Sequence, residues 1–317
     1  MPIPDELDGV EVRGDVTTSG TRRLIESAVD TYQIGRTFYR DATEAAADLE
    51  LREPEPDETV VVLFSDRHDN IGMDAVTRAI ADAAGATAAF DAGDDTSTGQ
   101  TWEAFSLDSV TAAFDDGPFE DNRWAVTGNH DQGSFVGRYL ADHGWTMLNG
   151  EAVDGPAGVR LIGVEDPRSS GLGNWRDETG LSFEEVADRL ADAACAADEE
   201  GERITTVLVH DANLGDATLE RGCADLVVGG HLHSRSGPTR VVGENGAAGY
   251  SYTTGTAGGA AYAFALGSKL RRAADVSLVT YRDGRPVGIE SVVLHTSGAF
   301  EVVPYVELAP VDPSERD

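Results

Sequence analysis

Five of the seven histidines, His68, His130, His210, His231 and His233, stand beside Asp, Asn or Gly in short polar blocks that each follow an apolar run. The blocks are Ser65-Asp66-Arg67-His68-Asp69-Asn70, Asp91-Ala92-Gly93-Asp94-Asp95, Thr127-Gly128-Asn129-His130-Asp131, His210-Asp211 and Gly229-Gly230-His231-Leu232-His233. Asp66 and His68 are two apart, as are His231 and His233. On an extended segment residues at that spacing point to one side and can grip one ion. Gly93 permits a tight turn that offers the Asp94 carboxylate, a group able to bridge two ions. Mixed imidazole and carboxylate donors suit Zn, Mn, Fe and similar first-row ions better than Ca or Mg. Two such ions, about 3.5–4 Å apart, hold a bridging hydroxide and a phosphoryl oxygen and stabilise the entering and leaving oxygens of an in-line displacement.

The elements that must carry these blocks are legible from periodicity. Thr59–Ser65 (TVVVLFS) is a short β-branched run, the pattern of a buried strand. Further strands are expected at 86–90, 123–127, 146–148, 159–164, 204–209 and 226–228, with helices over 73–84, 102–114, 132–142 and 183–199 between them. Beyond residue 230 the pattern is β-rich, with strands at 240–242, 250–254, 275–281, 287–294 and 301–306. Each polar block therefore falls at the end of an expected strand, where loops of an open α/β sheet present side chains into a common crevice. Alternating strands and helices followed by a run of strands predict layered α/β with parallel and antiparallel pairing. Apolar residues at spacings of three and four from Arg22 to Leu51 predict a helix, and Glu53-Pro54-Glu55-Pro56-Asp57 ends it. The expected organisation is an N-terminal arm and helical extension over 1–57, a main domain over 58–308 and a tail over 309–317.

The order D-x-H, G-D, G-N-H-D, H, G-H-x-H, complete from Asp66 to His233, resembles the calcineurin-like metallophosphoesterase family. The resemblance implies a four-layer αββα sandwich, two mixed β-sheets flanked by helices. It implies two divalent metal ions (Mn, Fe, Zn or similar), one held by Asp66, His68 and His233 and the other by Asn129, His210 and His231, with Asp94 bridging. His130 would be the catalytic acid at the leaving oxygen, oriented through its ring by Asp131. The reaction implied is hydrolysis of a phosphomonoester or phosphodiester through a dinuclear-metal-bound hydroxide. The alternative is a catalytically weak metal-binding scaffold of the same fold acting in protein–protein interaction.

Other residues are read beside this set. Asn70 either hydrogen-bonds substrate phosphate or caps its turn. Arg67 lies between two ligands and by alternation points away from the ions, so it is expected in a surface ion pair. Asp69 and Asp95 are expected behind the ligands or in solvent. Arg168 is a substrate candidate in a segment, 166–176, expected as a surface loop. The glycine-rich Thr254–Ala260 turn lacks the helix start of a phosphate-cradling loop. His143 fits a helix C-terminus and His295 a late strand, both structural.

Asp and Glu number 57 against 24 Lys and Arg, a formal charge of −33, and Lys269 is the single lysine. A dispersed acidic surface so poor in lysine is what a salt-filled cytoplasm favours, because screening over a few ångströms removes the self-repulsion. The expectation is an extreme halophile's protein. The same charge argues against nucleic acid as partner, which needs clustered Lys and Arg. A small phosphoester, nucleotide-like among the candidates, is the expected substrate. No apolar run is long enough to cross a bilayer and Met1–Glu6 does not open a secretory signal, so a cytoplasmic setting without a membrane partner is expected. Cys195 and Cys223 lack metal or redox spacing and are expected as two buried thiols.

Overall fold

The computed structural model describes residues 35–171, 174–177, 180–260 and 269–309. The described chain opens with helix α1 over 35–46, strand β1 (Glu58–Phe64), helix α2 (Gly72–Ala83), β2 (Ala88–Asp91), α3 (Ala104–Phe114), β3 (Arg123–Ala125) and α4 (Phe135–Asp142). Short strands β4 (Thr146–Met147) and β5 (Val153–Asp154) lead to β6 (Arg160–Val164), the hairpin β7 (Arg168–Gly171) and β8 (Asn174–Asp177), and helix α5 (Phe183–Glu199). Then follow β9 (Thr206–Val209), α6 (Asp216–Glu220), β10 (Leu226–Gly229), β11 (Ser236–Val242), β12 (Ala248–Thr253), β13 (Ala274–Arg282), β14 (Arg285–Leu294) and β15 (Phe300–Glu307).

Apart from the β7–β8 hairpin, the described strands form two mixed sheets. One runs β15-β14-β13-β1-β2-β3-β4, with β1 to β4 parallel and β13 to β15 antiparallel; the other runs β11-β12-β10-β9-β6-β5, parallel from β12 to β6. Period-two alternation builds the layers. In β1, Val60, Val62 and Phe64 pack outward against helices, while Val61 and Leu63 pack inward against the second sheet. In β9, Leu208 joins the inter-sheet core, and Val207 and Val209 face the outer helices. Residues of α1 to α4 cover the first sheet and residues of α5 and α6 the second. The expected four-layer αββα sandwich is thus the observed architecture.

Helix α5 shows how closely local chemistry sets an element. Ser182 caps it, accepting from the Glu185 amide, and the Glu185 carboxylate returns to the Ser182 amide. Val186, Leu190 and Ala194, spaced by four, form its buried stripe. Earlier in the chain, Tyr39, Ala42 and Ala46 seat α1 in the core of the first sheet. The expected residues of that helix before 35 lie outside the described residues. No helix among the described residues is long and apolar enough to cross a membrane.

Two expectations are corrected. The segment expected as a loop forms the β7–β8 hairpin, paired from Arg168–Asp177 to Gly171–Asn174; its run of Pro, Ser and Gly carries no alternation to announce a strand. Cys195 and Cys223 are joined in a disulfide that ties α5 to the turn after α6. Nothing in the sequence places two cysteines 28 apart in contact; their packing is tertiary. Disulfides are scarce in reducing cytosol, so the bond pulls against the cytoplasmic expectation. Cross-linking a loop of this size stabilises by about 3.5 kcal/mol. Cys223→Ser should lower the unfolding free energy by that amount, and a reductant should bring the wild type down to the variant while leaving the variant unmoved. A variant as stable as the oxidised wild type would contradict the bond.

Candidate metal centre

All five polar blocks leave the C-terminal ends of parallel strands: β1, β2 and β3 from one sheet, β9 and β10 from the other. They meet at one edge of the sandwich. Asp66, His68, Asp94, Asn129 and His210 are almost completely buried there.

The backbone that brings them together is not extended. Among the described residues, eight non-glycines have positive φ, and six of them are Asp66 (56°), His68 (45°), Asp69 (64°), Asp94 (59°), His231 (70°) and His233 (54°). The expectation that pairs two apart converge by strand alternation is therefore corrected: left-handed turns aim these side chains. Such residues cost free energy and collect at functional sites, where the surroundings over-determine them. The blocks also approach too closely for side chains between them. A Cβ on Gly128 would lie 2.3 Å from Asp94 Oδ1 and 2.8 Å from His210 Nδ1, and one on Gly230 would lie 1.9 Å from Ser65 Oγ.

Two groups of side chains converge closely enough to hold a metal ion: Asp66, His68 and His233, and Asp66, Asp94 and His210. His68 Nε2 lies 3.1 Å from His233 Nε2, and Asp66 Oδ1 lies 3.2 Å from the latter. Asp94 Oδ2 lies 3.2 Å from His210 Nε2 and 3.8 Å from His68 Nε2, so it stands between the groups. Asn129 Oδ1 is 3.1 Å from His210 Nε2. The His231 ring stands 5.1 Å from that of His210, centroid to centroid.

The donor set fits a divalent ion on its own chemistry. His210 Nδ1 is 2.7 Å from the Ala92 carbonyl and His233 Nδ1 is 3.0 Å from that of Ala260. A carbonyl only accepts, so Nδ1 carries the proton and Nε2 is the nitrogen with the lone pair. Two ring nitrogens 3.1 Å apart, as in His68 and His233, need a proton or a shared cation between them. Asp66 Oδ1 and His68 Nδ1 are buried without a hydrogen-bond partner. Burial pushes the His68 imidazole down to about 4, so this ring is neutral. Burial also disfavours the charged form of His210, but the adjoining Asp94 carboxylate outweighs it and holds this imidazole well above its ordinary value.

His130, half-buried, sits beside this set, its ring at right angles to that of His68 with centroids 5.0 Å apart. Its amide donates to Asp94 Oδ1 at 2.7 Å and its Nδ1 is held 3.0 Å from the Ser97 carbonyl. Asp131 does not orient it, which corrects that expectation. The Asp131 carboxylate accepts from the amides of Gly128, Asp94, Asp95 and Thr96 and from the Thr96 hydroxyl. The amides of two turns point at this carboxylate, so it braces the blocks that carry Asp94 and Asn129. Ser97, whose carbonyl does the orienting, left no side-chain signal to find.

Asn70 is committed elsewhere: its Nδ2 donates to Tyr39 Oη on α1 and to the Gly258 carbonyl. The Thr254–Ala260 turn is a scaffold. Ala257 and Gly258 amides and the Thr256 hydroxyl reach the carbonyls of Ser65 and Asp66, and the Ala260 carbonyl holds His233. Arg67 forms ion pairs, but buried ones, with Asp74 (2.7 Å) and Asp95 (2.8 Å), which corrects the surface expectation. Asp69 Oδ2 accepts from the Ser97 amide. Arg168 is held by Asp166 and Asp211. His143 caps α4 with Nδ1 on the Tyr139 carbonyl, and His295, just past β14, pairs with Glu301.

No protein-family model matches the chain, and no curated protein matches it in sequence. Among solved structures it is similar to the sulfate thiohydrolase SoxB of Thermus thermophilus in complex with glycerol, with a TM-score of 0.51 and 16% identity over 80% of this chain. The match takes in 59% of that protein's length. The Thermus thermophilus protein TT1561 aligns over 77% of this chain and 97% of its own at 11% identity and TM-score 0.47. Chaetomium thermophilum Vps29 aligns over 79% and 95% at 10% identity and TM-score 0.29. The likeness to SoxB establishes the fold: two packed mixed sheets between helices, shared with that enzyme.

Proposed function

We propose that this chain is a metal-dependent phosphoesterase, a hydrolase that cleaves a small phosphomonoester or phosphodiester with two divalent ions, on a surface adapted to concentrated salt. The observation that carries the reading is the convergence of buried carboxylates and imidazole Nε2 atoms, two of them on rings whose Nδ1 atoms are pinned to carbonyls. In this reading Asp66, His68 and His233 hold one ion, Asn129, His210 and His231 the other, and Asp94 serves both. Bound divalent ions supply Lewis-acid stabilisation of phosphoryl charge and acidify water. His130 presents Nε2 to the leaving-group oxygen and donates a proton there, its ring fixed by the Ser97 carbonyl and its backbone by Asp94. A full set of metal-compatible side chains with His130 in place favours an active enzyme over a scaffold.

The test is metal content and Mn-dependent hydrolysis of p-nitrophenyl phosphate and bis-p-nitrophenyl phosphate in molar KCl. Two ions per chain with turnover on either ester is the expected result. Bound ions with no turnover on either would establish the scaffold instead, and a chain that binds no ion would end the reading. His130→Ala should lower kcat by about 10²- to 10⁴-fold while metal content stays at two. Metal loss in that variant would contradict the assigned role.

A further inference from the structure

We propose that Arg168 and Asp211 are a positioning pair for His231, and that Arg168 does not bind substrate. The inference rests on the metal-site reading above. Arg168 opens β7 with its guanidinium enclosed on several sides. Nε donates to Asp166 Oδ1 at 2.9 Å, Nη2 donates to Asp166 Oδ2 at 2.6 Å and to Asp211 Oδ2 at 2.8 Å, and the plane lies over the Phe183 ring, 4.4 Å from its centroid. Asp166 and Asp211 are both buried. The other Asp211 oxygen accepts from the amide and the side chain of Asn213. With both oxygens tethered, the Asp211 carboxylate is fixed in space, and its Oδ2 stands 3.9 Å from His231 Nε2.

At 3.9 Å the contact is longer than a hydrogen bond, so the fixed carboxylate acts on the imidazole through its charge. A carboxylate beside Nε2 favours the proton on that nitrogen and leaves the Nδ1 lone pair for an ion. His210 and His233 have the reverse arrangement, with Nδ1 on a backbone carbonyl. His231 is therefore the imidazole whose far nitrogen faces a side-chain carboxylate, and its geometry is open to single substitutions. The same strand supports a second proposed ligand: the Ser170 amide donates to the Asn129 carbonyl at 2.8 Å, and next to β7 the Asp166 amide donates to the Thr127 carbonyl. The 166–170 segment thus braces two of the groups proposed for one ion, Asn129 through the backbone and His231 through Arg168 and Asp211. A lysine cannot replace the planar fork that spans two carboxylates.

The test uses the full chain in molar KCl, stripped of metal and titrated with Mn²⁺ against a competing chelator, alongside steady-state kinetics with p-nitrophenyl phosphate. Asp211→Asn and Arg168→Ala should each weaken one of two ions by about 10- to 100-fold and leave the other at wild-type affinity. Arg168→Lys should fail to restore it, and KM at saturating Mn²⁺ should stay near wild type. Asp211→Asn is isosteric, so it decides the matter if the arginine variants fail to fold. Wild-type affinity for both ions in Asp211→Asn overturns the proposal. So does an Arg168→Ala variant with both affinities intact and a raised KM, which would make Arg168 a substrate contact. A wild-type chain that binds no ion instead overturns the metal-site reading, and the pair's role falls with it.

Discussion

Asp94→Ala should strip the chain of both metal ions and lower turnover by about a thousand-fold or more, since several kcal/mol of charge stabilisation leave together. Three contacts converge on this one carboxylate. Oδ2 stands 3.2 Å from His210 Nε2 and 3.8 Å from His68 Nε2, one imidazole from each proposed ion position, and Oδ1 accepts from the His130 amide. Burial works against its charge, but the adjoining His210 holds it ionised, far below the usual carboxylate range. Asp94 itself adopts a left-handed backbone, held there by the Asp131 carboxylate on its amide. Metal analysis of the purified variant checks the expectation, with circular dichroism to show that the fold survives. One ion kept at full occupancy with near-normal hydrolysis would show that Asp94 is not shared.

Where the site lies was legible because two patterns coincide in the chain. Val60 to Phe64 alternate cleanly between two apolar layers, and polar blocks of metal-compatible residues begin where each such run stops. How the blocks are shaped was not legible. Alternation explains facing only on an extended backbone, and Asp66, His68, His231 and His233 are left-handed. Arg67 turns toward α2 and α3, a side that is packed rather than open to solvent as expected. The family resemblance put Asp131 behind the His130 ring, yet backbone amides from two turns captured the carboxylate first. The carbonyls of Ala92, Ser97 and Ala260 orient three imidazoles, and a carbonyl has no side-chain type to read. Asp211 did leave a signal, standing next to His210 at a strand end, but its partner Arg168 comes from a hairpin with no strand periodicity.

Arg67→Met should cost about 3–5 kcal/mol of stability, the largest single loss expected outside the metal set. Arg67 is buried behind the first ligand block. Its guanidinium clasps Asp74 on α2 through Nε and Nη2, reaches Asp95 through Nη1 and donates to the Ser106 carbonyl on α3. Methionine fills much of the volume but leaves two buried carboxylates without a counter-charge, which is more costly than the intact pair is favourable. The pH dependence then has a definite sign. Burial already holds the Asp74 carboxyl above its ordinary value, although Arg67 pulls it down. Removing Arg67 raises it further. A carboxyl raised by folding carries no penalty while it is protonated in both states, and stability is lost as pH climbs from its unfolded value through its folded one. The deficit against wild type should therefore be smaller near about pH 5 than near about pH 8. Urea unfolding of both proteins at the two pH values, in the same molar KCl, measures it. A deficit under about 1 kcal/mol, or one that does not grow with pH, would mean that solvent reaches this cluster and that Arg67 is the ordinary surface pair its neighbours in sequence suggest.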